Sequence, residues 1–267
     1  MKNLTKSLIA AAVLATSAMS HAAPVTTWNV AVTGIWTDYA PDVSGIAISG
    51  GGTLLSWGTQ SVNTPLGKSS LKITNPAATS IDTYFGGGEP PPEFIAPSIQ
   101  LTHNNQPITR PFLTQAEVTV GVTLTPETPP APGFDLPDIE YNISFKETPN
   151  TLPCAVLTSP TPCNDIFVLI GGFLNESFDY NGFTYFVNAF PTDGGSLGTL
   201  DPAVCAAAGE ASGCIGFTTP ERASTNLAFG LTISSERLEV PEPGSLALLG
   251  LGLAGLAAAT RRKQKQA

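Results

Sequence analysis

Residues 177–190 read SFDYNGFTYFVNAF, and the dipeptide at their centre decides the fold class. Asn181-Gly182 offers two residues that tolerate positive φ, which a type I′ turn requires at both central positions. Ser177–Tyr180 leads into the turn and Phe183–Phe190 leads out of it. At period two, Phe183, Tyr185, Val187 and Ala189 share one face, and Thr184, Phe186, Asn188 and Phe190 share the other. Aromatic residues on both faces predict a strand that is covered on both sides or curled at the edge of a sandwich.

The pattern around this hairpin repeats along the chain. Short runs of β-branched and aromatic residues alternate with Gly, Pro, Ser and Thr, and long helical periodicity is missing. The expected strands are Thr26–Thr33, Gly45–Ile48, Thr53–Trp57, Ser69–Ile73, Ser80–Phe85, Ser98–Thr102, Val118–Leu124, Ile139–Lys146, Ile166–Ile170, Phe183–Phe190, Ile215–Thr218 and Leu227–Ser234. They predict an all-β fold of sandwich-like antiparallel sheets. Two segments read as loops. Gly86–Glu93 holds three glycines and three prolines, and Thr125–Pro137 holds five prolines; neither composition supports a regular ladder. Both are read as long surface loops within one domain, with a domain boundary at either as the alternative. No tandem repeat is visible.

Four cysteines form two equal spacings, Cys154 to Cys163 and Cys205 to Cys214. Four cysteines permit three connectivities, and the local pairing is the simplest. Each such loop of roughly ten residues stabilises by about 2.7 kcal/mol in the loop-entropy account. A zinc site wants C-x₂₋₄-C spacing, which neither pair has.

Chemistry-bearing constellations are sparse. Gly194-Gly195-Ser196-Leu197-Gly198 matches G-x-S-x-G, but that motif needs a strand before, a helix after and a downstream His. The flanks read as loop and His103 lies upstream. Asp135, Asp138 and Glu140 suggest an acidic cation loop, yet they lack EF-hand spacing and its central Gly. No glycine-rich phosphate loop occurs in the right context. No catalytic, cofactor-binding or metal-ligating residue is expected.

The two ends are addresses. Lys2 and Lys6 precede the apolar stretch Leu8–Ala15, and Ser20-His21-Ala22 is a small-x-small site. Residues 1–22 are therefore expected to be a secretory signal peptide for signal peptidase. Residues 240–267 read VPEPGSLALLGLGLAGLAAATRRKQKQA. Pro241 and Pro243 flank Glu242 and exclude regular helix there. The segment Ser245–Thr260 carries no charge and would span roughly 24 Å as a helix, marginal for a hydrocarbon core of about 30 Å. Arg261, Arg262, Lys263 and Lys265 fit a cytoplasmic stop. A single membrane-spanning C-terminal helix is the expectation. Gly250, Ala254 and Ala258 make a small-residue stripe of the kind that such segments carry by composition.

Between these ends lies an exported β domain, residues 23–239. Of 12 Lys and Arg, two lie in the leader and four in the tail, leaving six against 20 of the 21 acids, a balance near −14. Such a body repels phosphate backbones, so nucleic acid is an improbable partner.

The tail, with Pro241, Glu242 and Pro243 before an apolar run and a basic end, resembles the PEP-CTERM sorting signal of Gram-negative bacteria. That resemblance implies an exosortase-like processing enzyme as partner. It also implies an inner-membrane-anchored precursor and delivery to the cell surface or extracellular matrix. Inside the body, residues 101–108 read LTHNNQPI and contain T-H-x-N, namely Thr102, His103 and Asn105. With Trp28, Trp36 and Ser56-Trp57-Gly58, the body resembles the THxN family of PEP-CTERM proteins, a likeness that implies no particular activity. On physical grounds a Thr-His-Asn group at a strand end caps backbone groups of a turn. The function expected is a non-enzymatic surface or matrix protein, and the PEP-CTERM class implies a link to exopolysaccharide and biofilm. The alternatives are a carbohydrate-binding module using Trp36 or Trp57 as exposed sugar platforms, and a secreted hydrolase.

Overall fold

The computed structural model describes residues 23–60, 67–87, 90–148, 154, 163–170, 174–192 and 197–237. The expected signal peptide, the Pro-Glu-Pro triplet and the expected membrane helix lie outside these residues. Among the described residues, no helix is long and apolar enough to cross a membrane.

The strands in chain order are β1 (Thr27–Ala40), β2 (Ala47–Ser49), β3 (Leu54–Trp57), β4 (Thr59–Gln60), β5 (Ser69–Thr74), β6 (Thr79–Asp82), β7 (Ala96–Asn104), β8 (Ile108–Thr109) and β9 (Gln115–Thr128). They continue as β10 (Phe134–Asp135), β11 (Ile139–Lys146), β12 (Asp165–Ile170), β13 (Leu174–Tyr180), β14 (Phe183–Pro191), β15 (Gly198–Thr199), β16 (Ile215–Thr219) and β17 (Ser224–Arg237). Among the described residues there is one α-helix, α1 (Pro202–Ala208), and one 3-10 turn at Pro92–Phe94. The first sheet runs β15-β16-β12-β11-β9-β1-β6, with β10 on β9; the second runs β13-β14-β17-β7-β5-β3-β2. β4 and β8 form a small pair of their own. Every pairing between named strands is antiparallel. The two sheets face each other over one apolar core, as the alternating pattern predicts.

Period-two alternation builds that core. Along β9, Ala116, Val118, Val120, Val122 and Leu124 are buried, and the residues between them are half-exposed. β1 answers with Trp28, Val30, Val32 and Trp36. From the second sheet come Leu71, Ile73, Ile99, Leu101, Val187, Leu231 and Ile233. The void between Ile99, Leu101, Val118, Val120, Tyr141 and Phe229 is about 10 Å³, about the least that holds one water. Where β6 stops, β1 would present an open edge. There the Asn75 amide stands in for a strand, accepting the Gly34 N–H at 2.8 Å and donating to its carbonyl at 3.2 Å. A Cβ at Gly34 would lie 2.9 Å from Ile99 Cγ2, so the sheets approach too closely there for a larger residue.

The hairpin at Asn181-Gly182 is present. Both residues have positive φ, 53° and 78°, and Tyr180 pairs with Phe183. β14 is the second strand of its sheet. It buries Tyr185, Val187 and Ala189 and leaves Phe186 and Phe190 half-covered on the other face. The ring of Trp28 is the hub of this end of the core. It makes edge contacts with Phe134, Phe178, Tyr180 and Tyr185 at 5.1–6.1 Å. Its Nε1–H donates to Thr83 Oγ1 at 3.0 Å, and that hydroxyl donates to the Val25 carbonyl at 2.7 Å.

One loop expectation is corrected. Thr125–Pro137 is not wholly loop, because β9 continues to Thr128 and β10 returns against it. β11 pairs with β9 only as far as Val120, so Pro126 stands where the ladder is incomplete and its missing N–H costs little. The short helix α1 was not anticipated. Its cues are local: the Asp201 side chain accepts the Ala203 N–H, Pro202 opens the first turn and Gly209 ends it at φ 86°. Both expected disulfides are formed, Cys154–Cys163 and Cys205–Cys214. The second joins Cys205, within α1, to Cys214, the residue before β16.

Trp28→Ala is expected to lower the unfolding free energy by about 3–5 kcal/mol, the usual cost of emptying a large aromatic site. Trp28→Phe should cost clearly less. Urea unfolding followed by far-ultraviolet circular dichroism measures both; a loss under about 1 kcal/mol for Trp28→Ala would show that the ring is no hub.

A buried carboxylate cluster at one end of the sandwich

The inward positions of several strands end in polar residues at one end of the sandwich. On β7, Ile99 and Leu101 are followed at the same spacing by His103 and then Asn105. On β11, Ile143 and Phe145 are followed by Glu147. On β12, Leu169 and Phe167 are preceded by Asp165, and on β16 Phe217 is followed by Thr219. Charged groups on these faces are normally excluded from an interior unless paired. Here period two carries them inside.

Each carboxyl is held by one neutral donor. Trp57 Nε1–H donates to Glu147 Oε2 at 3.0 Å, and the Thr148 backbone N–H donates to Asp165 Oδ1 at 2.8 Å. Thr148 Oγ1 also donates to the Asn164 carbonyl at 3.0 Å, tying the end of β11 to the start of β12. The Cys154–Cys163 disulfide lies in the connection between these two ends. The other oxygens, Glu147 Oε1 and Asp165 Oδ2, are buried and have no donor while both groups are ionised. A third carboxyl comes from Glu221, on the turn Pro220–Ala223 that links β16 to β17. One oxygen from each of Glu147, Asp165 and Glu221 lies within 4.8 Å of the others.

That turn is tight. The Ala223 N–H donates to the Pro220 carbonyl at 3.2 Å, and Arg222 has φ 61°, a left-handed value usually left to Gly or Asn. Asn105 braces the turn on both sides. Its Nδ2 donates to the Thr219 carbonyl at 3.0 Å and its backbone N–H to the Ala223 carbonyl at 2.9 Å. Its Oδ1 is buried without a donor. His103 is 1% exposed and stacks on Trp57, with ring centroids 5.8 Å apart, and both rings meet Phe145 edge-on. Neither imidazole nitrogen has a hydrogen-bond partner.

The electrostatics follow from burial. Desolvation pushes Glu147 up to about 7, and the negative charge of Glu221 adds to it. Desolvation and the charge of Glu147 push Asp165 up to about 9. The two carboxyls face each other at hydrogen-bond range, so one proton can be shared between them. Opposing these effects are only neutral donors, Trp57 and Thr148 for the most part. Burial lowers His103 to about 3, so its imidazole is neutral at physiological pH.

Of the residues singled out by sequence, the structure thus gathers His103 and Asn105 and leaves Thr102 outside, where its hydroxyl donates to Asn226 Oδ1 at 2.8 Å. The capping role holds for Asn105 alone, because the imidazole bonds to nothing. Trp36 and Trp57 are 2% and 0% exposed, so neither is a sugar platform; each occupies an inward position facing the opposite sheet. Asp135 instead accepts a hydrogen bond from Thr123 at 2.6 Å, and Asp138 and Glu140 are exposed and join no cluster among the described residues. Gly194-Gly195-Ser196 and the Pro241–Pro243 motif lie outside the described residues. Glu147, Asp165 and Glu221 were missed. Their signal is a carboxylate in phase with an apolar strand face, as in Ile143-x-Phe145-x-Glu147 and Asp165-x-Phe167-x-Leu169.

Residues 239–263 match the family model described as the PEP-CTERM protein-sorting motif. The chain therefore carries that sorting motif, behind a β-sandwich body. A protein bearing it is exported, and is sorted through the membrane by an exosortase system. Comparison with curated proteins finds no match.

The raised carboxyls set a pH dependence. From pH 7 to pH 9 the folded state retains a proton on this pair that unfolded Asp and Glu have released. Stability of the metal-free protein must then fall as pH rises, with a slope of at most about 1.4 kcal/mol per pH unit for one retained proton. Folded His103 is neutral over this range and unfolded His nearly so, so it adds only a small opposing slope close to pH 7. Asp165→Asn should flatten the slope; chemical unfolding at several pH values in chelator measures it, and an unchanged slope would place the proton elsewhere.

Proposed function

We propose that the mature body is a non-enzymatic cell-surface or extracellular-matrix protein, delivered there by exosortase-type sorting and working in contact with exopolysaccharide. The observation that carries this reading is the sorting motif at residues 239–263 behind an exported β body. The THxN resemblance of residues 101–108 fits it, since its His and Asn are interior residues of a scaffold. Two further facts support a structural role. His103 is buried and neutral, a poor general base at pH 7. Glu147 and Asp165 lie inside the sandwich, out of reach of a polymer. Before sorting, the precursor sits in the inner membrane of a Gram-negative cell.

A second reading, glycan binding, moves away from the buried tryptophans to an open groove. About 270 Å³ is lined by Asp38, Tyr39, Gln115, Glu117, Asn142 and Ile170. Carboxylates and amides on an open face suit sugar hydroxyls. Binding to purified exopolysaccharide that is lost in Glu117→Gln with Asn142→Ala, without change in thermal unfolding, would favour this reading over a plain scaffold.

The sorting step is tested by replacing Pro241, Glu242 and Pro243 with alanine. Alanine is the strongest helix former, so the apolar segment would extend backwards through the processing site. The variant should be exported and folded, yet stay as full-length precursor in the membrane fraction, like the wild type in a strain without exosortase. Mass spectrometry of the mature C-terminus and cell fractionation read this. Cutting and release at the normal rate would reduce the triplet to a linker.

A further inference from the structure

We propose that Glu147, Asp165 and Glu221 bind one divalent cation of the calcium class at the closed end of the sandwich. The inference is independent of how the protein is sorted.

The ligand set is hard oxygen. Oxygens sharing one calcium ion lie 2.3–2.6 Å from it, so two of them can be no more than about 5 Å apart. The three carboxyl oxygens satisfy this, lying within 4.8 Å of one another. Magnesium demands near-ideal octahedral geometry and gives up its waters reluctantly, so a set of buried carboxylates suits calcium better. Zinc would take nitrogen or sulfur, but the four cysteines are paired in disulfides and the imidazole of His103 is not part of the cluster.

The second observation is the state of the carboxyls themselves. Glu147 is 6% exposed and Asp165 1%. In each, one oxygen is oriented by a neutral donor while the other is buried with no donor of its own. This is how metal-ligating carboxylates are built: an outer hydrogen bond fixes the orientation and the free oxygen ligates. Asn105 offers a neutral oxygen at the same end, since its Oδ1 is buried without a donor and its own donors brace the Glu221 turn. Access is short, because Pro220 and Arg222, on either side of Glu221, are exposed. A bound cation would join β11, β12 and the β16–β17 turn, completing with charge what the apolar core does elsewhere.

The test uses the full-length chain in detergent, stripped with chelator and titrated separately with Ca²⁺, Mg²⁺, Mn²⁺ and Zn²⁺ by calorimetry, with thermal unfolding in parallel. One saturable Ca²⁺ per chain is expected, at least tenfold tighter than Mg²⁺ and raising the unfolding temperature. Glu221→Gln, which keeps the size of the side chain and removes its charge, should weaken Ca²⁺ at least tenfold, and Asp165→Asn at least as much. Asp138→Asn, exposed and outside the cluster, should bind as wild type does. No saturable binding by a protein with intact disulfides and native near-ultraviolet dichroism would overturn the proposal and leave a shared proton as the only occupant. Wild-type affinity in Glu221→Gln would overturn it equally. So would a zinc site that is lost in His103→Gln.

Discussion

Everything in this body depends on the two-residue alternation of its strands across a face-to-face pair of sheets. On β9 and β1 it places Val, Leu and Trp inward in unbroken series. Each strand is then locked in register, since a slip of one residue would turn that whole series to solvent. The same constraint has no regard for chemistry. Where an inward series runs on past its last apolar residue, the next inward side chain is buried whatever it is. That is how His103, Asn105, Glu147, Asp165 and Thr219 come to be interior residues.

Burying two carboxyls among neutral donors is unfavourable, and their raised proton affinities express that cost. Several features hold the arrangement in place against it. Thr148 links the Asp165 carboxyl to the chain that carries Glu147, and the Cys154–Cys163 disulfide closes the same connection. Asn105 clamps the Glu221 turn although Arg222 adopts a left-handed backbone there. Trp57 serves both sides of the site, donating to Glu147 and stacking on His103. A region so over-determined, where the described interior is acidic, is where strain and unmet polar groups concentrate in proteins with a bound partner.

The opposite end of the core contrasts with it. Around Trp28 the buried polar atoms close a chain of satisfied bonds, from Trp28 to Thr83, Thr83 to Val25 and Val25 to Tyr185. Aromatic edges supply the rest. One end of the sandwich is therefore complete by itself, while the other is complete only with a proton or a cation. For an exported protein carrying a sorting motif, the second option ties its folded state to the ions of the compartment it enters.

Local chemistry alone determined the all-β class, the Asn181-Gly182 hairpin, both disulfides and the sorting motif. The hairpin and the disulfides are each written within about fifteen consecutive residues, where turn geometry and loop closure act; the sorting motif is one continuous segment, and the all-β class is an alternation repeated along the chain. The cues for α1, Asp201-Pro202 and Gly209, are equally local and legible. What only the tertiary structure decided is which strands pair, how β9 passes through Pro126, and which polar residues meet. Glu147, Asp165 and Glu221 lie on separate segments, and only the β11–β12 and β12–β16 pairings bring them together. Trp36 and Trp57 read equally well as surface platforms until the opposing sheet is in place. The physical reason is the same in each case: burial is a property of what lies across the core, and a single strand does not contain its opposite.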